Sequence, residues 1–216
     1  MPSIRMPKKQ RFIFDRVTWG RYNRLLRMLS DRHLRITYDR GFLEIMTISF
    51  AHDRIARFLG RFVIVLTEEF SLQVVEGGST TFRKRDQKKG LEPDNCFWIA
   101  HEAEVRDKTK IDLRIDPPPD LAIEVDISRS SIDRMHIYAS LRIPEVWRHD
   151  ANGLSFFALN AAGQYDPAPS STIFAVPITP ADIMPFVNLR GTVGNNDILR
   201  QFRASIQAKI AAARQP

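Results

Sequence analysis

The sequence predicts an α/β fold with a mixed β-sheet. Residues 53–70 carry apolar side chains at the i, i+3, i+4 and i+7 spacing that is typical of an amphipathic helix. Residues 121–127 instead alternate along the chain, as in a strand, with Ala122, Glu124 and Asp126 pointing to one side. The predicted order of helix, three strands, helix and strand favours helices packed on a sheet.

Size and composition fit one domain with appendages. The 216 residues are 44% hydrophobic, which is enough to bury a core, and the formal net charge of +7 fits a partner rich in phosphate. Cys96 is the single cysteine, so an internal disulfide is excluded, and its apolar surroundings predict an inert core thiol. No apolar stretch approaches the roughly 20 residues that span a bilayer, and the start lacks a signal-peptide pattern. We therefore expect a cytoplasmic protein with no membrane partner.

The first half of the chain begins with a helix at residues 18–28, because Trp19 and the leucines that follow repeat every three or four positions. A β-hairpin is expected next, since Asp39-Arg40-Gly41 is a short polar link between two apolar runs. The helix at 53–70 follows. We then expect an extended stretch at 72–82 and a strongly basic turn at 83–90.

In the second half, strands are predicted at 95–100 and 121–127, with a proline-ended surface loop between them. A helix capped by Ser130 or Ser131 is expected to follow. Strands at 145–149 and 154–159 then form a second hairpin, and a terminal helix contains Ile198, Phe202, Ile206 and Ile210. The predicted division is residues 1–50 packed on the core, a core at 51–160 and a C-terminal extension at 161–216.

Acidic residues in apolar surroundings mark the candidate site. Glu124 and Asp126 lie two residues apart on one face of a predicted buried strand. An unpaired buried carboxylate costs several kcal/mol, so these acids require hydrogen bonds, a cation or a metal ion. Asp94 follows Pro93 at the start of a neighbouring predicted strand. Three acids near two strands of a basic chain suggest metal-dependent chemistry on a polyanion.

A family resemblance is found in four segments of the chain, namely residues 41–49, 77–82, 90–97 and 119–149. Together they resemble the Uma-type endonuclease family of the restriction-endonuclease-like PD-(D/E)xK superfamily. The resemblance implies a restriction-endonuclease-like core, with a mixed central sheet flanked by helices and with the N-terminal helix and hairpin appended.

The same resemblance implies roles for individual residues. In the superfamily motif, Asp94 and Glu124 would hold Mg²⁺ or Mn²⁺, hard cations that prefer oxygen ligands. The motif lysine falls on Asp126, and Arg134 on the following helix is the nearest basic substitute. An arginine stays charged, so it could stabilise the phosphate but could not act as a general base. Glu44 and His52 also occupy positions of the family pattern.

The implied activity is a metal-dependent endonuclease that hydrolyses phosphodiester bonds, with DNA as the expected substrate. Loss of the motif lysine keeps an alternative open, namely a catalytically inactive nuclease-fold module that binds nucleic acid or a protein. Whether the chain forms a homodimer is also open.

Several residues keep more than one interpretation. Asp126 is a third metal ligand, a water-orienting group or a strand-end cap. Glu44 is a catalytic acid or a solvated hairpin residue, and His52 contacts metal or substrate or else caps a helix. A basic set is expected either to bind the phosphate backbone or to be a solvated surface. It consists of Arg83, Lys84, Arg85, Lys88 and Lys89, of which Arg83 or Lys84 could also replace the motif lysine.

Overall fold

The structure is a computed structural model, and it describes residues 10–30, 32, 34–47, 49–126 and 132–214. Its helices are Trp19–Met28 (α1), Phe50–Glu69 (α2), Glu102–Val105 (α3), Arg134–Ser140 (α4), Pro180–Asn188 (α5) and Asn195–Ala213 (α6). Its first strands are Arg11–Phe14 (β1), Leu34–Asp39 (β2), Phe42–Thr47 (β3), Val75–Glu76 (β4), Phe82–Lys84 (β5) and Lys89–Leu91 (β6). The others are Asn95–Trp98 (β7), Leu121–Val125 (β8), Glu145–Asp150 (β9), Gly153–Leu159 (β10) and Tyr165–Ala168 (β11).

The strands form two sheets. The first is antiparallel, in the order β1-β3-β2-β6-β5, and the second has the order β11-β10-β9-β8-β7-β4. In the second sheet β8 and β9 run parallel, whereas the other described pairs are antiparallel. The predicted α/β class with a mixed sheet and a restriction-endonuclease-like arrangement is therefore confirmed.

The first sheet joins the N-terminal hairpin to a later part of the chain, because β2 pairs with β6. Helix α1 covers this junction with the fully buried Tyr22, whose ring stacks on that of Tyr38 at 4.5 Å. A Cβ atom at Gly90 of β6 would collide with the Tyr22 hydroxyl, so only glycine allows this close approach. The division into segments 1–50, 51–160 and 161–216 stays a prediction, although β2–β6 pairing ties the first two together.

Helix α2 fills the centre of the main core. Its buried Leu59, Phe62 and Leu66 pack in one hydrophobic cluster with β8 and with Phe202 of α6. The Phe62 and Phe202 rings meet edge to face at 4.6 Å. None of the helices in the described part of the chain is long and apolar enough to cross a bilayer.

Most predicted elements are present, with shifted ends. The helices predicted at 18–28 and 53–70 correspond to α1 and α2, and the predicted terminal helix corresponds to α6. Asp133 caps α4 by accepting from the His136 amide, whereas Ser130 and Ser131, proposed as caps, lie outside the described residues, as does Ile127.

The middle of the chain differs in detail from the prediction. Residues 72–82 contain strand residues at β4 and at Phe82, on either side of Gly77 and Gly78, and a Cβ atom at Gly77 would collide with Trp98 and Cys96. Residues 83–90 are not simply a basic turn, since β5 and β6 form a hairpin whose Gly90 and Leu91 are buried. Sequence patterns also missed β1, β11 and α5.

Candidate functional site

Asp94 and Glu124 are brought side by side by the pairing of β7 with β8. Asn95 lies opposite Ile123 in this antiparallel pair, so Asp94, one residue before β7, lies beside Glu124. The Asp94 amide donates to the Ile123 carbonyl at 3.0 Å, and the Val125 amide donates to Asp94 Oδ2 at 2.5 Å. The two acids thus come from neighbouring strands, as the sequence suggests.

Glu124 is held by two residues of helix α4. Arg134 Nε lies 2.6 Å from Glu124 Oε1, and the Tyr138 hydroxyl donates to Oε2 at 2.6 Å. Arg134 and Tyr138 are four residues apart, so they lie on one face of α4. Burial raises the pKa of Glu124, but the charges of Arg134 and Arg35 outweigh it, and the resulting pKa lies below its usual value.

The guanidinium of Arg134 also connects the two sheets. It donates to the Thr37 hydroxyl on β2 and, through Nη2, to the Glu92 carbonyl at 2.7 Å. Its side chain is only 7% exposed. Arg134 therefore contacts both oxygens of Glu124, through Nε and Nη2, and also donates to Thr37 and Glu92 inside the protein.

Asp94 has an arginine of its own. Arg35 Nη1 forms an ion pair with Asp94 Oδ1, and both side chains are buried, at 5% and 0% exposed. Burial lowers the pKa of Arg35 and the neighbouring charge of Arg134 lowers it further, while Glu124 opposes them. Arg35, Asp94, Glu124 and Arg134 form what we call the ion-pair cluster.

Arg35 reaches this cluster because of the alternation along β2. Arg35 and Thr37 point to one face of the strand, and Ile36 and Tyr38 point to the other, where they pack in the small core under α1. Glu44 lies opposite Thr37 on β3, so it shares the face of Arg35. Glu44 is 2% exposed and lies 3.4 Å from Arg11 Nε, so its interpretation as a solvated hairpin residue was wrong.

His52 lies in the first turn of α2, which Ser49 caps by accepting from the His52 amide at 3.3 Å. The imidazole Nε2 is 2.7 Å from the Val125 carbonyl and 3.4 Å from Asp94 Oδ2. Because a carbonyl only accepts, Nε2 carries the proton in this contact. His52 is buried rather than a surface residue, and it supports the end of β8 next to Asp94.

Asp126 lies beyond β8 and pairs with Arg148 of β9 at 3.0 Å. Its side chain is 15% exposed. A cavity of about 270 Å³ opens beside it and is also lined by Glu124, Asp133 and Arg134. Glu124 is therefore reached from solvent at the edge of this cavity, although it is 6% exposed.

A family model matches the chain over residues 19–181, which is more than half of its length. The matching family is Uma2, whose description is "Putative restriction endonuclease". The chain belongs to the Uma2 family. Comparison with curated proteins gives no match.

Uma2 membership implies a nuclease fold that acts on nucleic acid, and related nuclease families generally use divalent metal ions. The donor set of this chain does not fit such an ion between Asp94 and Glu124. Glu124 Oε2 accepts hydrogen bonds from Arg134 and Tyr138 and Asp94 Oδ2 accepts one from the Val125 amide, while Glu124 Oε1 and Asp94 Oδ1 lie in ion-pair contact with Arg134 and Arg35 without a hydrogen bond. A cation between the two acids would have to displace the guanidiniums that are in contact with them.

Charge leads to the same conclusion. The ion-pair cluster contains two carboxylates and two guanidiniums, so its formal charge is already balanced. A divalent cation would be placed beside two buried positive charges with no net negative charge to hold it. Within the described ranges, no three His, Cys, Asp or Glu side chains are grouped so that they could hold a metal ion.

The basic set divides into buried and exposed members. Lys89 is 5% exposed and donates to the Ser140 hydroxyl at 2.5 Å, so its ammonium is used inside the protein and its assignment to nucleic-acid binding is corrected. Lys84 is half-buried and donates to the Ser140 carbonyl. Arg83, Arg85 and Lys88 are exposed on the β5–β6 hairpin.

Sequence reasoning missed Arg35, Thr37 and Tyr138. Tyr138 was treated as an apolar helix position, although it is four residues after Arg134 on the same helical face. For Arg35 a signal existed, since a charged residue alternates with Leu34, Ile36 and Tyr38 in a strand that is otherwise apolar on one face. The alternation in β2 does not show that Arg35 pairs with Asp94 of the other sheet.

Proposed function

We propose that this chain is a nucleic-acid-binding protein of the nuclease fold in which the motif carboxylates stabilise the fold instead of binding a metal ion. The observation that carries the proposal is that each motif acid is paired with its own buried arginine. Replacement of the motif lysine by Asp126, which pairs with Arg148, also supports it. Arg134 cannot substitute as a general base because its guanidinium stays protonated.

Nucleic acid is the proposed partner for three reasons. Uma2 is described as an endonuclease family, the chain has a net charge of +7, and Arg83, Arg85 and Lys88 are exposed on one hairpin. Cationic side chains of this kind bind phosphates without reading sequence, and such binding weakens as salt concentration rises. We propose DNA as the first ligand to test.

The second candidate is the metal-dependent endonuclease that the family implies, with Asp94 and Glu124 as proposed metal ligands and Mg²⁺ or Mn²⁺ as the ion. The cavity beside Glu124 and Asp126 favours it, because solvent reaches a motif acid there. In such an endonuclease the reacting phosphate would be surrounded by Glu44, His52 and Arg134. The paired arginines would first have to leave both carboxylates.

One pair of measurements separates the two candidates. Labelled DNA is titrated with the protein at several salt concentrations, and the same DNA is incubated with the protein in Mn²⁺. We expect salt-dependent binding with no cleavage, and no heat when Mn²⁺ is titrated into the protein in a calorimeter. Cleavage that disappears in Glu124→Gln, in protein that is still folded by circular dichroism, would establish the endonuclease instead.

A further inference from the structure

A groove of about 490 Å³ runs between the C-terminal end of α1, the start of β2 and the segment that leads into β5. Four arginines line it, and Glu92 is the acidic residue among its described lining residues. The arginines are Arg27, Arg32, Arg35 and Arg83. Its volume lies within the range of about 300–1,000 Å³ that is usual for small-molecule sites.

The charge of the groove is positive under all ordinary conditions. Arg27 on α1 and Arg83 on β5 are exposed on its walls, and neither forms an ion pair with a described residue, although Arg83 Nη1 donates to Asn23 Oδ1 at 2.6 Å. Glu92 accepts a hydrogen bond from the Thr81 hydroxyl at 2.6 Å, and burial raises the pKa of its carboxyl. Guanidinium groups favour phosphate because their donors match its oxygens in pairs.

The groove also has an apolar wall. Leu26, Leu29 and Leu34 line it and are only half-buried. A free phosphate ion would leave this surface in water, whereas a nucleotide would cover it with its base or sugar. The combination of arginines with leucines therefore matches a ligand that is anionic at one end and flat and apolar at the other.

We propose that this groove binds one nucleotide unit of single-stranded nucleic acid, with the phosphate on Arg27 and Arg83 and the base against the leucines. This inference rests on the proposed function and gives it a location. A single strand is favoured because its bases are free to leave the stack and contact a protein surface. Arg35 lines the groove and also pairs with Asp94, so the bound strand would pass beside the ion-pair cluster.

The C-terminal end of helix α1 opposes anion binding in the groove. The C-terminal end of a helix carries roughly half a negative charge, and α1 ends at this groove. The Ser30 hydroxyl already donates to the Arg27 carbonyl, which offsets part of that charge. The two exposed guanidiniums of Arg27 and Arg83 carry more charge than the helix end, so phosphate contacts are expected from side chains and not from the helix end.

The test uses fluorescence anisotropy with a labelled oligothymidine, measured over a series of salt concentrations. The variant Arg27→Ala/Arg83→Ala removes one arginine from each wall, and Arg200→Ala/Arg214→Ala makes the same charge change at α6, which packs on α2 and α5 and does not line the groove. We expect the first variant to weaken binding at least about fivefold and to lower the salt slope by about 1–2. The control variant should stay within about twofold of the parent protein.

Other outcomes overturn the inference in distinguishable ways. If the parent binds oligothymidine and both double variants weaken it equally, the groove is not the site but the proposed function stands. If the parent binds neither oligothymidine nor duplex DNA, both proposals fail. Displacement of the strand by an equal concentration of thymidine monophosphate would assign the groove to free nucleotides and would overturn the strand assignment.

Discussion

The two halves of the ion-pair cluster look alike but are built from different parts of the chain. Glu124 pairs with Arg134 from the next helix, ten residues later, and Tyr138 adds a further donor from the same helix. Asp94 pairs with Arg35 from the other sheet and also accepts from the Val125 amide. The first pair joins a strand to its own following helix, whereas the second depends on how the two sheets pack.

This difference predicts unequal energies. Arg134 contacts Glu124, Thr37 and Glu92, so its removal leaves the buried Glu124 carboxylate without its counter-charge, with the Tyr138 hydroxyl as a donor, and takes a donor from two other acceptors. Asp94 keeps a backbone donor when Arg35 is removed. The Glu124 half should therefore contribute more to stability than the Asp94 half.

The largest effect is expected for Arg134→Met. Removal of one partner from a buried ion pair typically costs about 3–5 kcal/mol, because the other charge is left uncompensated. Urea denaturation followed by circular dichroism measures this loss in the free energy of unfolding. Arg148→Met is the matched control, since the Arg148–Asp126 pair is partly exposed and should cost no more than about 1 kcal/mol. Equal losses in the two variants would contradict the proposed importance of Arg134.

The sequence alone predicted only part of the ion-pair cluster. The alternation in residues 121–127 placed Glu124 on a buried strand, and the helical spacing in 53–70 predicted α2, because local periodicity reports which face is buried. The position of Arg134 came from the family pattern. Arg35 could not be found in this way, since its contact with Asp94 spans 59 positions and depends on packing between sheets.

A smaller effect is expected for Arg35→Met. The Val125 amide still donates to Asp94, and loss of Arg35 also removes its repulsion with Arg134. We expect a loss of about 2–3 kcal/mol in the same urea measurement, which is below that of Arg134→Met. If Arg35→Met lowers the free energy of unfolding more than Arg134→Met does, the Arg35–Asp94 pair between the sheets contributes more than the Glu124–Arg134 pair. The order of energies proposed above is then reversed.

The smallest expected effect is the dependence of stability on pH that comes from the Glu124 carboxyl. The pKa of Glu124 in the folded protein lies below its ordinary value of 4.5, so the unfolded chain binds its proton more readily. The stabilisation is therefore complete above about pH 4.5 and is lost as the pH falls through the folded-state pKa.

Glu124→Gln removes this titration while keeping the shape of the side chain. The variant is expected to be less stable than the parent at neutral pH, and the difference between them should shrink as the pH falls below 4.5 and Glu124 of the parent is protonated. Urea midpoints measured at several pH values for both proteins provide the comparison. Parallel curves for the two proteins would mean that Glu124 does not titrate in this range, and its ion pair with Arg134 would then have to persist at acid pH.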